Sequence, residues 1–318
     1  MELLDLKDVI KLLADSKECL IGVSGGIDSM CMLHWFTKNR DKLPCKIKAM
    51  HIDHGINAAS SDWANFVSQQ CEDFGIEHSI VKVSLEGLGN NVEYAARKAR
   101  YKAFCESGAD SVILAHHAND QCESFLLKLF RGSGIRGLKS MIPRASCWYD
   151  STVTVVRPLL DVSRIQIEEY AECHGISNIE DSSNDDDNYD RNYIRNKVWP
   201  TILDRFAIAD VNTIRSIKHL DEAWQLTTVL ADNDIASTTM PDGSLDWYKL
   251  RDLGYLRIKN MILRILAQEN IYSFSIWQVE KFANGLINAD LNNRTQLIVK
   301  GLTMQKVGKK INIVRDIV

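Results

Sequence analysis

The chain has 318 residues, 45% of them hydrophobic and 25% charged, with 17 Gly and only 5 Pro. That composition suffices for two domain cores and excludes a collagenous, low-complexity or dominantly disordered state. No apolar run approaches the ~18 residues of a membrane span, and Glu2, Asp5 and Asp8 stand where a signal peptide carries positive charge, so the expectation is a cytoplasmic protein with no membrane partner. The net charge of −4 is unevenly spread: residues 1–190 hold 20 Lys+Arg against 29 Asp+Glu, and residues 191–318 hold 18 against 13, a balance of +5 that suits a polyanionic partner.

In chain order, Leu20 to Val23, Ile47 to Ile52, Ser79 to Val83 and Val112 to Ala115 read as buried strands. Between and after them, residues 28–40, 59–74, 91–107 and 118–130 read as helices. Thr152 to Val156 offers a fifth strand, ended by Arg157 and Pro158. The alternation predicts an α/β fold: a doubly wound parallel sheet of about five strands with helices on both faces. Helical patterns follow at 163–174, 190–205, 209–235, 246–269 and 275–288, separated by the acidic, Asn/Ser-rich loop Glu180 to Asp190, and a basic tail (Lys300, Lys306, Lys309, Lys310, Arg315) closes the chain. The expected division is a catalytic domain over 1–205 and a mostly helical, basic C-terminal domain over 206–318. The eight cysteines include no C-x-x-C, so reduced thiols are expected rather than a zinc ribbon or a dithiol redox pair.

The sharpest chemical signal is Ser24-Gly25-Gly26-Ile27-Asp28-Ser29, between the first strand and a helix. Two glycines permit the tight turn, backbone N–H groups and a helix N-terminus attract an anion, and two hydroxyls add donors. An ordinary βα turn has no need of serines on both sides and an acid within. There is no G-x-x-x-x-G-K-[ST], so this is not a Walker loop. Asp28 makes chemical sense as an Mg²⁺ ligand beside departing pyrophosphate.

A second constellation, His116-His117-Ala118-Asn119-Asp120-Gln121-Cys122-Glu123, begins at the C-terminal end of the fourth strand, where open α/β sheets bind ligands. Asp120 and Glu123 share a helix face, and a carboxylate pair there can hold an ammonium group; the plainer reading is favourable charge at a helix N-terminus. Gly132-Ser133-Gly134-Ile135-Arg136-Gly137 fits G-x-G-x-x-G literally, but it follows a helix and is set aside as a dinucleotide fingerprint.

The hexapeptide at 24–29 resembles the PP-loop of the ATP pyrophosphatases. Together with His51 to Gly55, Asn91 to Phe104, His116 to Met141, Arg157 to Leu160, Glu180 to Asn184 and Arg191 to Arg195, it makes residues 19–205 resemble the tRNA(Ile)-lysidine synthetases. The resemblance implies that ATP adenylates the C2 oxygen of the wobble cytidine of a CAU-anticodon tRNA(Ile), and that the ε-amine of free L-lysine then displaces AMP. It implies ATP binding by Ser24, Gly25, Gly26, Ile27, Asp28, Ser29 and His54, with His116 near the α-phosphate and Asp120 and Glu123 on lysine. Arg97, Arg100, Arg191 and Arg195 are phosphate or tRNA contacts under the same resemblance, their plainer alternative being surface ion pairs such as Glu93 to Arg97. A homodimer is left open. The rivals are a PP-loop tRNA thiolase, a PP-loop amide-forming synthetase and a nucleotide sensor without catalysis.

Overall fold

The computed structural model describes residues 2–55, 60–83, 92–180 and 186–315, with the side chains of residues 92 and 93 also set apart. Asn91, Asp181 to Asn184 and the Glu93 to Arg97 pairing therefore lie outside the described residues. The chain divides into two compact units, Met1–His219 and Leu220–Val318.

In the first unit the elements follow the order α1 (Leu6–Leu12), β1 (Glu18–Gly22), α2 (Ile27–Asn39), β2 (Lys46–Asp53), α3 (Ser60–Asp73), β3 (His78–Lys82), α4 (Val92–Glu106), β4 (Ser111–Ile113), α5 (Ala118–Phe130), α6 (Ile135–Leu138), β5 (Arg144–Ser146), β6 (Thr154–Val156), α7 (Arg164–His174), α8 (Asp190–Tyr193) and α9 (Trp199–Arg205). The sheet has six strands in the order β3-β2-β1-β4-β6-β5, parallel except for β5, which pairs antiparallel with β6 at the edge. The doubly wound class expected from the sequence holds, with β5 as an added sixth strand.

The side-chain alternation of β1 explains why both faces are covered. Cys19, Ile21 and Val23 enter one core with Met30, Trp35 and Phe36 of α2 and Ile167 and Tyr170 of α7. Leu20 enters the other, with Met50, Ile52, Tyr101 and Phe104. Strands buried on both faces read as continuous apolar runs, which is why these were legible. From β1 the chain winds outward through β2 to β3, then returns to β4 on the other flank of β1. The switch point thus falls between β1 and β4, where a crevice opens at the strand C-termini.

The helix expected over 190–205 is α8, a π-helical turn at Ile194–Val198, and α9. After it α10 (Ala209–Thr238) carries the chain past residue 219. The second unit holds β7 (Leu245–Asp246), α11 (Trp247–Leu253), α12 (Tyr255–Gln268), α13 (Ile276–Asn288), β8 (Gln296–Val299), β9 (Leu302–Val307) and β10 (Lys310–Arg315). The helix read across 246–269 breaks at Gly254, whose φ of +80° lies outside helical space. Beside the expected helices stands a four-stranded antiparallel sheet, β7-β10-β9-β8, built partly from what the sequence reading took as a tail. Its core gathers Trp247, Leu250, Met261, Phe282, Leu302 and Ile311. All eight cysteines are free. Among the described residues no helix is long and apolar enough to cross a membrane.

Candidate active site

Ser29 organises the loop after β1. Its Oγ accepts the N–H groups of Ser24 and Gly25, each at 3.2 Å, and donates to Gly26 O at 2.9 Å. Gly25 has φ +93°, and a Cβ there would lie 2.8 Å from Ile179 Cδ1, so the turn is specific to glycine. Ile179 N donates to Gly25 O, tying the loop to the segment after α7. The first turn of α2 has no side-chain cap, which leaves its N–H groups and dipole to an incoming anion.

Beside this loop a cavity of about 640 Å³ opens at the ends of β1, β2 and β4. Ser24, Asp28, Ser29, His54, Arg100 and His116 contribute its polar wall, and Met50, Ile52, Phe104 and Leu114 an apolar one. That size and mixture suit a nucleotide-sized ligand. Burial pushes the His116 imidazole down to about 3, with Arg157, Arg191 and Arg100 acting in the same sense against the opposing field of Asp120. His116 is therefore neutral at pH 7, and its buried Nδ1 has no protein partner. His54 is likewise lowered by burial and by Arg100, and its Nδ1 is also unpartnered.

Asp28 receives Arg164 Nη1 on both carboxylate oxygens, at 2.9 and 3.0 Å. His117 Nδ1 accepts from Asn119 N, which assigns the ring proton to Nε2, 3.7 Å from Asp28 and 3.6 Å from Asp120. The imidazole thereby links the loop to the second carboxylate group.

Asp120 and Glu123 are buried, 7% and 1% exposed. Asp120 serves the helix-capping role as well, since its Oδ2 accepts His117 N at 3.0 Å. Its Oδ1 accepts Arg191 Nη2 at 2.6 Å and Arg195 Nη2 at 3.0 Å. Glu123 accepts Arg191 Nε at 2.8 Å and Arg195 Nε at 2.6 Å, with a further bond to Arg195 Nη2 at 3.1 Å. Burial alone would raise the Asp120 carboxyl; His117, Arg191 and His116 reverse this and hold it at about 2. Two anions and two guanidiniums thus form one charge-balanced block, brought together from α5 and the segment of α8 and the π-helical turn.

The residues read from the sequence fall into three groups. Ser24, Asp28 and Ser29 of the loop meet His54, Arg100 and His116 at the cavity, while Gly25, Gly26 and Ile27 shape the loop without lining it. Asp120, Glu123, Arg191 and Arg195 form the adjoining block. Arg97 stands apart, 5.1 Å over the Tyr101 ring. Sequence reasoning did not name Arg164 and gave no role to His117 or Arg157, though both lie in the quoted motifs; Arg164 pairs with Asp28, His117 stands between Asp28 and Asp120, and the half-buried Arg157 lies near His116 with its guanidinium donating to Ile142 O. Nothing local marks Arg164 as the partner of Asp28, 136 positions away.

Residues 4–202 match the family model described as a PP-loop domain. The tRNA(Ile)-lysidine synthase of Nitrosomonas europaea is 34% identical over 286 residues, 90% of this chain and 62% of that protein. The tRNA(Ile)-lysidine synthase of Haemophilus ducreyi is 33% identical over 295 residues, 92% of this chain and 67% of that protein. The chain thus spans about two thirds or less of the length of these curated relatives. Among solved structures, the U34-tRNA thiolase NcsA from Methanococcus maripaludis shares the fold with a TM-score of 0.54 at 18% identity, covering 68% of this chain and 75% of that one.

Proposed function

The chain belongs to the tRNA(Ile)-lysidine synthase family, and from that premise we propose that it ligates lysine to C2 of the wobble cytidine of a CAU-anticodon tRNA(Ile), consuming ATP through an adenylated tRNA. On this reading the cytidine C2 oxygen attacks the α-phosphorus and pyrophosphate leaves. The lysine ε-amine then bonds to C2, and AMP departs with the former carbonyl oxygen. The observation that carries the reading is the match to tRNA(Ile)-lysidine synthases over 83–92% of this chain at 33–34% identity.

The PP-loop and the uncapped start of α2 hold the β- and γ-phosphates, and the cavity seats the nucleoside. Neutral His116 acts beside the α-phosphate as a hydrogen-bonding group rather than a cation. Asp28, a hard oxygen donor beside the loop, would hold Mg²⁺ once its bidentate pairing with Arg164 opens. A bound ion would supply charge neutralisation for the leaving pyrophosphate. Asp120 and Glu123 orient the lysine ammonium. Because their oxygens already accept six hydrogen bonds from Arg191, Arg195 and His117 N, lysine enters by displacing part of the guanidinium block, freeing arginine for phosphate. Incorporation of labelled lysine into total tRNA, with and without ATP, tests the proposal. ATP-dependent incorporation with equimolar AMP is expected, and its absence sinks it. Sulfur transfer and amide formation, the alternative PP-loop chemistries, would leave tRNA without lysine in that assay.

A further inference from the structure

A band of exposed aromatic rings, shared between α4 and the turn joining β5 to β6, takes no part in the chemistry just described. Tyr94 on α4 is 56% exposed, and Trp148 and Tyr149, in the turn between β5 and β6, are 48% and 37% exposed. Their rings adjoin one another: Tyr94 to Trp148 at 6.3 Å between centroids and Trp148 to Tyr149 at 6.0 Å. Tyr101, fully buried, backs Trp148 at 5.5 Å and carries Arg97 on its face. The turn that presents Trp148 and Tyr149 is pinned. Asp150 Oδ1 accepts the N–H and the hydroxyl of Thr152 at 2.9 and 2.7 Å, and Cys147 N donates to Val153 O at 2.8 Å. The rings are thus held out before any ligand arrives, which lowers the entropic cost of binding.

The helical period places this band beside the nucleotide cavity. At 100° per residue, Tyr94, Tyr101, Arg97, Phe104 and Arg100 follow one another around α4 within about 120°. The far members of the series, Phe104 and Arg100, line the cavity. The surroundings are cationic: Arg157 lies near enough to Arg97 to feel its charge, and Lys128 near enough to Lys139 and Arg157. Exposed aromatics with arginine are the arrangement that binds unpaired bases, because every base offers a π-face and the phosphates between the bases pair with the cations.

We propose that Tyr94, Trp148 and Tyr149, flanked by Arg97, form a stacking platform for the unpaired nucleotides next to the reacting cytidine in the anticodon loop of the substrate RNA. This rests on the reading of the chain as an RNA-modifying ligase. The platform holds the loop while the target base turns into the cavity over the α4 side.

The test measures affinity of the full chain for an RNA stem-loop with a CAU loop across a salt series, beside ATP KM and lysine incorporation. Trp148→Ala and Tyr94→Ala should each weaken RNA binding roughly five- to tenfold, with the salt slope and ATP KM unchanged. Trp148→Phe, which keeps a π-face, should stay within about twofold of the parent. Arg97→Gln should instead flatten the salt slope by roughly 0.7. The proposal is overturned if both alanine variants bind RNA like the parent, or if Trp148→Ala changes the assembly state with RNA binding intact, which would make the patch a contact between copies. If the parent chain fails to incorporate lysine while Trp148→Ala still loses RNA affinity, the ligase reading fails and the platform stands.

Discussion

Glu123 is the most deeply committed acid of the site, and its neutralisation separates two roles. Glu123→Gln removes the charge that balances Arg191 and Arg195. Because both guanidiniums keep some access to water, the loss of stability should be at or below about 3 kcal/mol, the lower end for a broken buried pair. If the carboxylate also holds lysine, the lysine KM should rise roughly tenfold to a hundredfold, the equivalent of a charge-assisted hydrogen bond. A rise in ATP KM with lysine KM unchanged would assign the block to phosphate binding instead. Asp28→Asn should abolish turnover with the fold intact by circular dichroism, since Asp28 lies at the loop and pairs with the half-exposed Arg164. Near-normal lysine transfer by that variant would overturn the loop mechanism.

The same residues predict an acid profile. His116 is lowered from about 6.5 to about 3, so below pH 6.5 the unfolded chain takes up a proton that the folded chain refuses. Stability present above that pH is lost as the pH falls, by at most about 1.4 kcal/mol per unit. Asp120, lowered to about 2, extends the loss through the window from about pH 4 to 2. Chemical denaturation at pH 7, 6 and 5 should show the decline, and His116→Gln should flatten it above pH 5. The loop and the carboxylate pair were legible in the sequence because each is a local pattern. The arginine partners of Asp28, Asp120 and Glu123 were not identifiable as such, because they meet across 68 to 136 positions and only the folded sheet brings them together.

At the level of elements, the interior strands announced themselves by continuous apolar runs. The edge strand β5, with residues Arg144, Ala145 and Ser146, carries no such signal, since an edge strand has less to bury. Strands β8 to β10 were hidden for a different reason. Their period-two burial is interrupted in type by Lys306, a lysine at an inward, buried position, so the alternation read as a basic tail. The turn between β1 and α2 was legible down to the residue. Its Gly25→Ala variant should cost on the order of 1–2 kcal/mol for the left-handed backbone, with the Ile179 side chain yielding to the new methyl. ATP affinity should fall more than stability, because the loop N–H groups move with the turn. A variant with unchanged ATP KM would show that the turn does not hold the phosphates.

Across the whole chain, the +5 balance over residues 191–318 divides further. Residues 191–219 hold 6 Lys+Arg against 2 Asp+Glu, and residues 220–318 hold 12 against 11. Within the second unit, Lys306 is buried over the Trp247 ring and donates to Asp290 O and Asn293 O. Lys310 pairs with Asp242, and Arg315 with Glu269. Among the described residues, Lys300 and Lys309 remain as the tail cations without an ion pair to an acid. We therefore expect Lys300→Gln with Lys309→Gln to lower the salt slope of tRNA binding by no more than about 2. A larger drop, measured by filter binding, would place the main electrostatic grip in the second unit.

Helix α4 spans 15 residues, about 22 Å of stiff rod. It bears Arg100 and Phe104 on the nucleotide cavity and Tyr94 and Arg97 on the aromatic band. A ligand that displaces the rod at one of these stations changes the fit at the other, so the two binding equilibria share a thermodynamic cycle. The factor by which ATP alters RNA affinity must then equal the factor by which RNA alters ATP affinity. Measured from both directions at equilibrium, a common factor different from one would make α4 the candidate transmitter, and a factor of one would mean that it holds still while both sites fill.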